Sequence, residues 1–263
     1  MTYSKKEILL QVQNVNLGFD GRPVLRDINF CIHNIVRPDV EQGQVISLVG
    51  RSGIGKTQLF RLLAGLQQPD SGSITIGEQQ KVKAGDMGVI FQHYYLFEWR
   101  TIYQSLLLAA NKNPLLKGKE KESIQQYAEG FNLTEHLQKY PRQLSGGQRQ
   151  RVSILQQLLK GSNFLLLDEP FSGLDILMLD KVTELLLQVS VSDELKTLII
   201  VSHDIETAIA ISDTVFILGE QPGQKGATIK REIDLMERGL AWQKDIRHNK
   251  TFLETVQEIK QCL

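Results

Sequence analysis

Apolar and polar residues partly alternate over residues 8–17, I-L-L-Q-V-Q-N-V-N-L, and Asp20-Gly21 supplies a hairpin-type turn before a second apolar segment at 24–32. This pattern predicts an N-terminal β-meander. Residues 44–49 form a short apolar strand running into a glycine-rich loop, and residues 56–64 continue at helical spacing. Further short strands are predicted at 73–76 and 87–91. From about 102 to 159 the pattern is mostly helical, with breaks at Asn113-Pro114 and Tyr140-Pro141. Beyond this, continuous apolar runs at 164–167, 197–201 and 214–218 alternate with helical segments at 178–189 and 205–211. Strands that are apolar throughout and separated by helices predict a parallel sheet covered on both faces. A Pro222-Gly223 turn leads to a weaker strand at 228–233, and Phe252, Leu253, Val256 and Ile259 recur at the spacing of a terminal amphipathic helix.

Composition narrows the class without naming it. The chain has 263 residues, 41% hydrophobic and 7% aromatic, with 30 Lys+Arg against 30 Asp+Glu. It is long enough to bury a sizeable core. The zero charge balance argues against nucleic-acid binding through a strongly basic face. No run approaches the roughly 18–20 consecutive apolar residues that a membrane-spanning helix needs. The N-terminus, M-T-Y-S-K-K-E-I-L-L-Q, lacks an apolar region of signal-peptide length, so export is not expected. Cys31 and Cys262 stand far apart and indicate neither a disulfide framework nor a cysteine metal site.

Three stretches carry chemistry. Gly50-Arg51-Ser52-Gly53-Ile54-Gly55-Lys56-Thr57 fits G-x-x-x-x-G-K-[ST] between a strand and a helix. Its glycines let backbone N–H groups approach phosphate oxygens, and the helix start presents a positive end to the same anion. Lys56 is expected to reach the β- and γ-phosphates and the Thr57 hydroxyl to bind Mg²⁺. The second stretch, Asp168-Glu169-Pro170, follows a buried strand. By itself it is compatible with a polar turn; beside a phosphate loop, Asp168 is a Mg²⁺ ligand, and Glu169 orients or deprotonates the attacking water. The third is Leu144-Ser145-Gly146-Gly147-Gln148, where a hydroxyl and two glycine N–H groups at a helix start make a second anion site.

With L-S-G-G-Q the chain resembles the ATP-binding cassette (ABC) ATPase family, over about residues 8–235. The resemblance implies an α/β fold: a P-loop NTPase core with a mainly parallel sheet, an N-terminal antiparallel β-subdomain and an inserted α-helical signature subdomain at about 93–160. It implies one nucleotide-binding domain over 1–235 and a C-terminal helical extension over 236–263. Gln92, in V-I-F-Q-H, matches the Q-loop glutamine that touches Mg²⁺ and water; Asp175, in S-G-L-D, the D-loop residue that contacts the opposite subunit; and His203, in I-V-S-H-D, the histidine that contacts the γ-phosphate. Phe19 is the candidate for stacking on adenine. Its distance from Gly50 is long for that role, and the excess looks like an insertion at 33–42. Two cassettes pack head to tail in the family, so each ATP is enclosed by one phosphate loop and the other chain's signature. The expected partner is therefore a second nucleotide-binding domain, as a homodimer or beside a different cassette, and a monomer should hydrolyse poorly.

The stretch Leu96-Phe97-Glu98-Trp99-Arg100-Thr101-Ile102 looks like the L-x-P-W-x-T-V of the nitrate, sulfonate, taurine and bicarbonate importer subfamily, with Glu98 in place of proline. Pro222-Gly223 and the following T-I-K-R-E-I-D-L suit the same subfamily. Residues 152–158 lack its A-x-A-R-A pattern, and Thr207 stands where many importer cassettes carry Glu. The resemblance implies an ATPase that powers a separate membrane permease, cytoplasmic and peripheral on the inner face of the cell membrane, with a substrate-binding protein as a further expected partner. The rival is a soluble ABC ATPase acting as an assembly or regulatory factor, for example in iron–sulfur cluster assembly. Tyr94, Tyr95, Leu96, Phe97 and Trp99 suit either a docked partner helix or packing within the helical subdomain.

Overall fold

The computed structural model describes residues 3–37, 43–77, 80–171, 196–241, 243 and 246–263. Asp175 and the helix expected over 178–189 lie outside the described residues. The chain opens with a long hairpin in which β1 (Ser4–Phe19) and β2 (Arg22–Val36) pair antiparallel, Phe19 opposite Arg22 and Ser4 opposite Val36. Asp20 and Gly21 both have positive φ, 49° and 73°, the turn geometry that matches the right-handed twist of the flanking strands. Register shifts along β1, such as those between Ile8 and Leu10 and between Val12 and Val15, explain why its alternation is only partial. The expected insertion at 33–42 begins as strand: His33 to Val36 continue β2, and the buried Arg37 guanidinium pairs with the Asp213 carboxylate. Residues 38–42 lie outside the described ones.

β4 (Ser71–Ile76) pairs with the other edge of β1, and the two-residue β5 (Gln80–Lys81) pairs with β4. β3 (Gln44–Val49), β6 (Gly88–Ile90), β7 (Phe164–Asp168), β8 (Thr197–Ser202) and β9 (Thr214–Glu220) run parallel to one another. β10 (Ala227–Asp234), longer than its pattern predicts, pairs antiparallel with β9 and meets β2 at Ala227 and Leu25. That contact joins the two regions into one ten-stranded sheet, β5-β4-β1-β2-β10-β9-β3-β8-β7-β6.

Every residue of β3, β7 and β8 is buried, which is why those segments read as unbroken apolar runs. Leu165, Leu167, Leu198 and Ile200 face the helical layer of α2 (Ile102–Ala110), α3 (Glu120–Gly130) and α4 (Gly146–Lys160). Leu166, Ile199 and Val201 face the other way, with α1 (Lys56–Leu63). Each such fully buried side chain contributes about 1.5–3 kcal/mol. A third cluster joins Val49, Val215 and Ile217 to α5 (Ile205–Ile211) and α6 (Lys250–Cys262). The breaks at Asn113 and Tyr140 are real: short 3₁₀ turns at Pro114–Leu116 and Pro141–Gln143 interrupt the helical layer. Among the described residues no helix is long and apolar enough to cross a membrane.

Candidate functional site

Three parallel strands end side by side. Register places Val49, the last residue of β3, beside Ser202, the last of β8, and Asp168, the last of β7, beside Val201. Gly50, His203 and Glu169 therefore leave the sheet along one edge, the carboxyl edge at which open α/β sheets place ligands.

The loop from Gly50 to Thr57 turns from β3 into α1. A Cβ on Gly50 would lie 2.8 Å from the Leu218 carbonyl oxygen and 2.9 Å from Ile54 Cγ2, so the sheet itself requires glycine there. Gly55, at φ 107°, caps α1 with Val24 and Leu25 of β2 close against it. Arg51, Ser52, Gly53 and Thr57 are exposed, Ile54 and Gly55 half-buried and Lys56 buried. Lys56 Nζ donates to the carbonyl oxygens of Gly50 (2.8 Å) and Arg51 (3.1 Å) and lies 3.8 Å from Glu169 Oε1. Burial pushes its pKa down, and the neighbouring Glu169 and Asp168 charges oppose that shift. An ammonium held mostly by carbonyl dipoles is available to phosphate oxygens, which bring a full counter-charge.

Asp168 is buried, and its Oδ1 has no hydrogen-bond partner. Burial raises its carboxyl pKa, and the Glu169 charge beside it adds to the rise. An orphaned carboxylate oxygen beside a phosphate loop, with the Thr57 hydroxyl as a second hard donor, fits a Mg²⁺ ion that keeps phosphate and water ligands. Glu169 follows in the left-handed region, φ 49°, a conformation that costs a non-glycine residue about 1–3 kcal/mol. It is pinned there from both ends. Its N–H donates to Val201 O (2.8 Å), and its Oε2 accepts from His203 Nδ1 (2.8 Å), the His203 N–H (3.3 Å) and Ser202 Oγ (3.4 Å).

Because a carboxylate only accepts, His203 Nδ1 donates in this pair, which leaves Nε2 as the ring nitrogen free to face a phosphate. The side chain is 60% exposed, open to such a ligand. Ser202 Oγ also accepts the Asp204 N–H (3.0 Å). Asp204 caps α5 through the Thr207 N–H (3.1 Å) and hydroxyl (2.6 Å), so the departure at Thr207 strengthens a helix cap. Ser202 and Asp204 are not among the residues expected from the sequence. Their signal was present in S-H-D, a pair of capping residues immediately before an apolar run.

Phe19 is 46% exposed at the end of the hairpin whose Val24 and Leu25 lie over Gly55. Gln92 is exposed and follows Phe91, whose ring packs on Phe60 of α1 at 5.7 Å. At the signature, Ser145 caps α4: its Oγ accepts the Gln148 N–H (3.3 Å), and its own N–H donates to Gln148 Oε1 (2.9 Å). This capping box leaves the Ser145 hydroxyl proton and the N–H groups of Gly146 and Gly147, which have no partner within the helix, as donors to an anion. The contacts joining Lys56, Glu169 and His203 do not extend to Ser145, Gly146, Gly147 or Gln148. Gln148 meets His136 instead, Nε2 to Nε2 at 3.0 Å. Gln150 links the two regions by a hydrogen bond, its Nε2 donating to Pro170 O (2.9 Å) just past the acidic pair.

The ABC transporter family model matches residues 33–172, more than half of the chain. An uncharacterised ABC transporter ATP-binding protein of Bacillus subtilis is 37% identical over 215 residues, covering 81% of this chain and 79% of that protein. The nitrate import ATP-binding protein of a Synechocystis species is 34% identical over 227 residues, covering 86% and 82%. Among solved structures, a part of an ABC transporter complex from Clostridium perfringens aligns with a TM-score of 0.74 over 96% of both chains, at 24% identity, a likeness of fold. The chain therefore belongs to the ABC transporter family, as one of its ATP-binding, ATP-hydrolysing subunits.

Proposed function

We propose that this chain powers a separate membrane permease that imports a small solute, of the nitrate, sulfonate, taurine and bicarbonate type. The observation that carries the ATPase half is the convergence of Lys56, Asp168, Glu169 and His203 on one sheet edge. Lys56 binds the β- and γ-phosphates, and Glu169 orients or deprotonates the attacking water. His203, held by Glu169, contacts the γ-phosphate, with Gln92 beside the water and Phe19 on the adenine. Thr57, Asp168 and Gln92 would hold Mg²⁺, which supplies neutralisation of phosphate charge when bound. The signature of a second copy, Ser145 with Gly146 and Gly147, completes each site, and Asp175 contacts that copy; ATP closes the dimer and hydrolysis opens it.

The import half rests on the nitrate-import relative and on the exposed aromatic loop after Gln92, with Tyr95 76% and Trp99 73% exposed. A permease helix docking there would place the chain on the inner face of the membrane, with a substrate-binding protein on the far side. Two measurements test the reading. Purified chain should release phosphate from ATP in a Mg²⁺-dependent way, and the Glu169→Gln variant should bind ATP yet stall as a closed dimer. Rapid turnover by that variant removes Glu169 as the base. Pull-down from membranes should recover a multi-span protein; recovery of soluble partners alone would favour the assembly-factor reading.

A further inference from the structure

Glu98 stands where the importer stretch that this chain resembles carries proline, a residue that makes no ion pair. Here its Oε1 lies 3.4 Å from NH1 of Arg149, the residue that follows the signature glutamine. Arg149 is fixed on its other sides: its Nε donates to Pro141 O (2.9 Å) in the turn before the signature, and its N–H donates to Ser145 O (2.9 Å). One guanidinium, on a residue anchored in the signature helix, therefore joins the entry to the signature with the loop that carries Glu98. That loop is tied together internally. Phe97 and Trp99 pack ring to ring at 5.4 Å, the Arg100 guanidinium lies over Phe97 at 6.0 Å, and the Arg100 N–H closes the turn onto Phe97 O (3.0 Å). The carboxylate thus shares a compact turn with the exposed aromatic rings.

Electrostatics gives the contact a direction. The first turn of α4 carries the positive end of the helix dipole, and Arg149 adds a cation close to it. Glu98 offsets both in the free chain. An ATP phosphate arriving at the Gly146 and Gly147 N–H groups brings the same negative charge.

We propose that Glu98 is a positioning residue for the signature: through Arg149 it ties the aromatic loop to the first turn of α4, so displacement of the loop reorients the signature donors. This rests on the ATPase reading above. The Glu98 and Arg149 side chains are 51% and 31% exposed, so water and salt screen the pair and its effect is modest.

The test is a charge-reversal cycle on the purified chain: Glu98→Arg, Arg149→Glu and the doubly reversed variant, with phosphate release followed across ATP concentrations at low and high salt. Each single reversal should lower kcat by about two- to five-fold with KM for ATP unchanged, and the double variant should recover the share of the loss that the ion pair carries, leaving kcat above the product of the two single effects. Glu98→Gln, which keeps the shape and removes the charge, should show the same loss at low salt and converge with the native chain at high salt. A double variant no better than the product of its single variants, in a chain whose unsubstituted form hydrolyses ATP, overturns the proposal alone. An unsubstituted chain without ATPase activity overturns the functional reading and the proposal with it.

Discussion

The two candidate anion sites use glycine for different reasons. At Gly50 the chain's own sheet demands it, because a Cβ would sit 2.8 Å from the Leu218 carbonyl oxygen, a backbone atom that cannot swing aside. At Gly146 a Cβ would meet nothing within 4 Å, and α4 is a helix in which alanine is the better residue. The loop at Gly50 is thus tied within one chain to buried strands and, through Lys56, to Glu169 and His203. The signature is held by an exposed capping box and by Gln148, His136 and Arg149. Nothing described within this chain requires glycine at 146, in keeping with the proposal that the site is shared between two copies.

The sharpest break of this contrast is Glu169→Gln, which should cut phosphate release by about 10²- to 10⁴-fold while ATP binding, followed by calorimetry, persists. Gly50→Ala should cost about 1–3 kcal/mol of folding stability in urea titrations, since the strain falls on backbone. For Ser145→Ala, loss of the α4 cap should cost about 0.5–2 kcal/mol, with hydrolysis falling and nucleotide affinity kept. Gly146→Ala is the discriminating case. It should raise stability by about 0.5–1 kcal/mol yet lower hydrolysis, and a parallel loss of stability would end the contrast with Gly50. Least affected should be Lys260→Ala, which removes an ion pair to Glu206 between side chains each 56% exposed; a change within about 0.5 kcal/mol is expected from its melting curve.

Legibility followed the range of the forces involved. β3 and α5 coincide with their apolar segments, because strands and helices buried on a sheet announce themselves in consecutive residues. β5 could not be seen: Gln80 and Lys81 are both exposed, and their strand exists through backbone pairing with Ile76 and Thr75. β1 and β2 exceed the predicted segments because register shifts interrupt alternation without ending the ladder. At the candidate site, the residue types of the phosphate loop, the acidic pair and S-H-D were all readable, since each motif is contiguous. The bond from Glu169 to His203, separated by 34 positions, was not. Neither was the pairing of Glu98 with Arg149, which turns an apparent defect in a family motif into a contact.

The sequence by itself determined the inventory and its order: a lysine and hydroxyl at one helix start, two carboxylates after a buried strand, a serine and two glycines at another helix start, and a histidine after a further strand. These follow from chemistry acting over a few neighbouring residues. Only the tertiary structure decided which of them meet. The pairing of β3, β8 and β7 brings Lys56, Glu169 and His203 into contact, and the helical layer gives the signature its own partners. The reason is register: hydrogen bonding between strands distant in the chain sets where each strand ends, and no local pattern encodes that alignment.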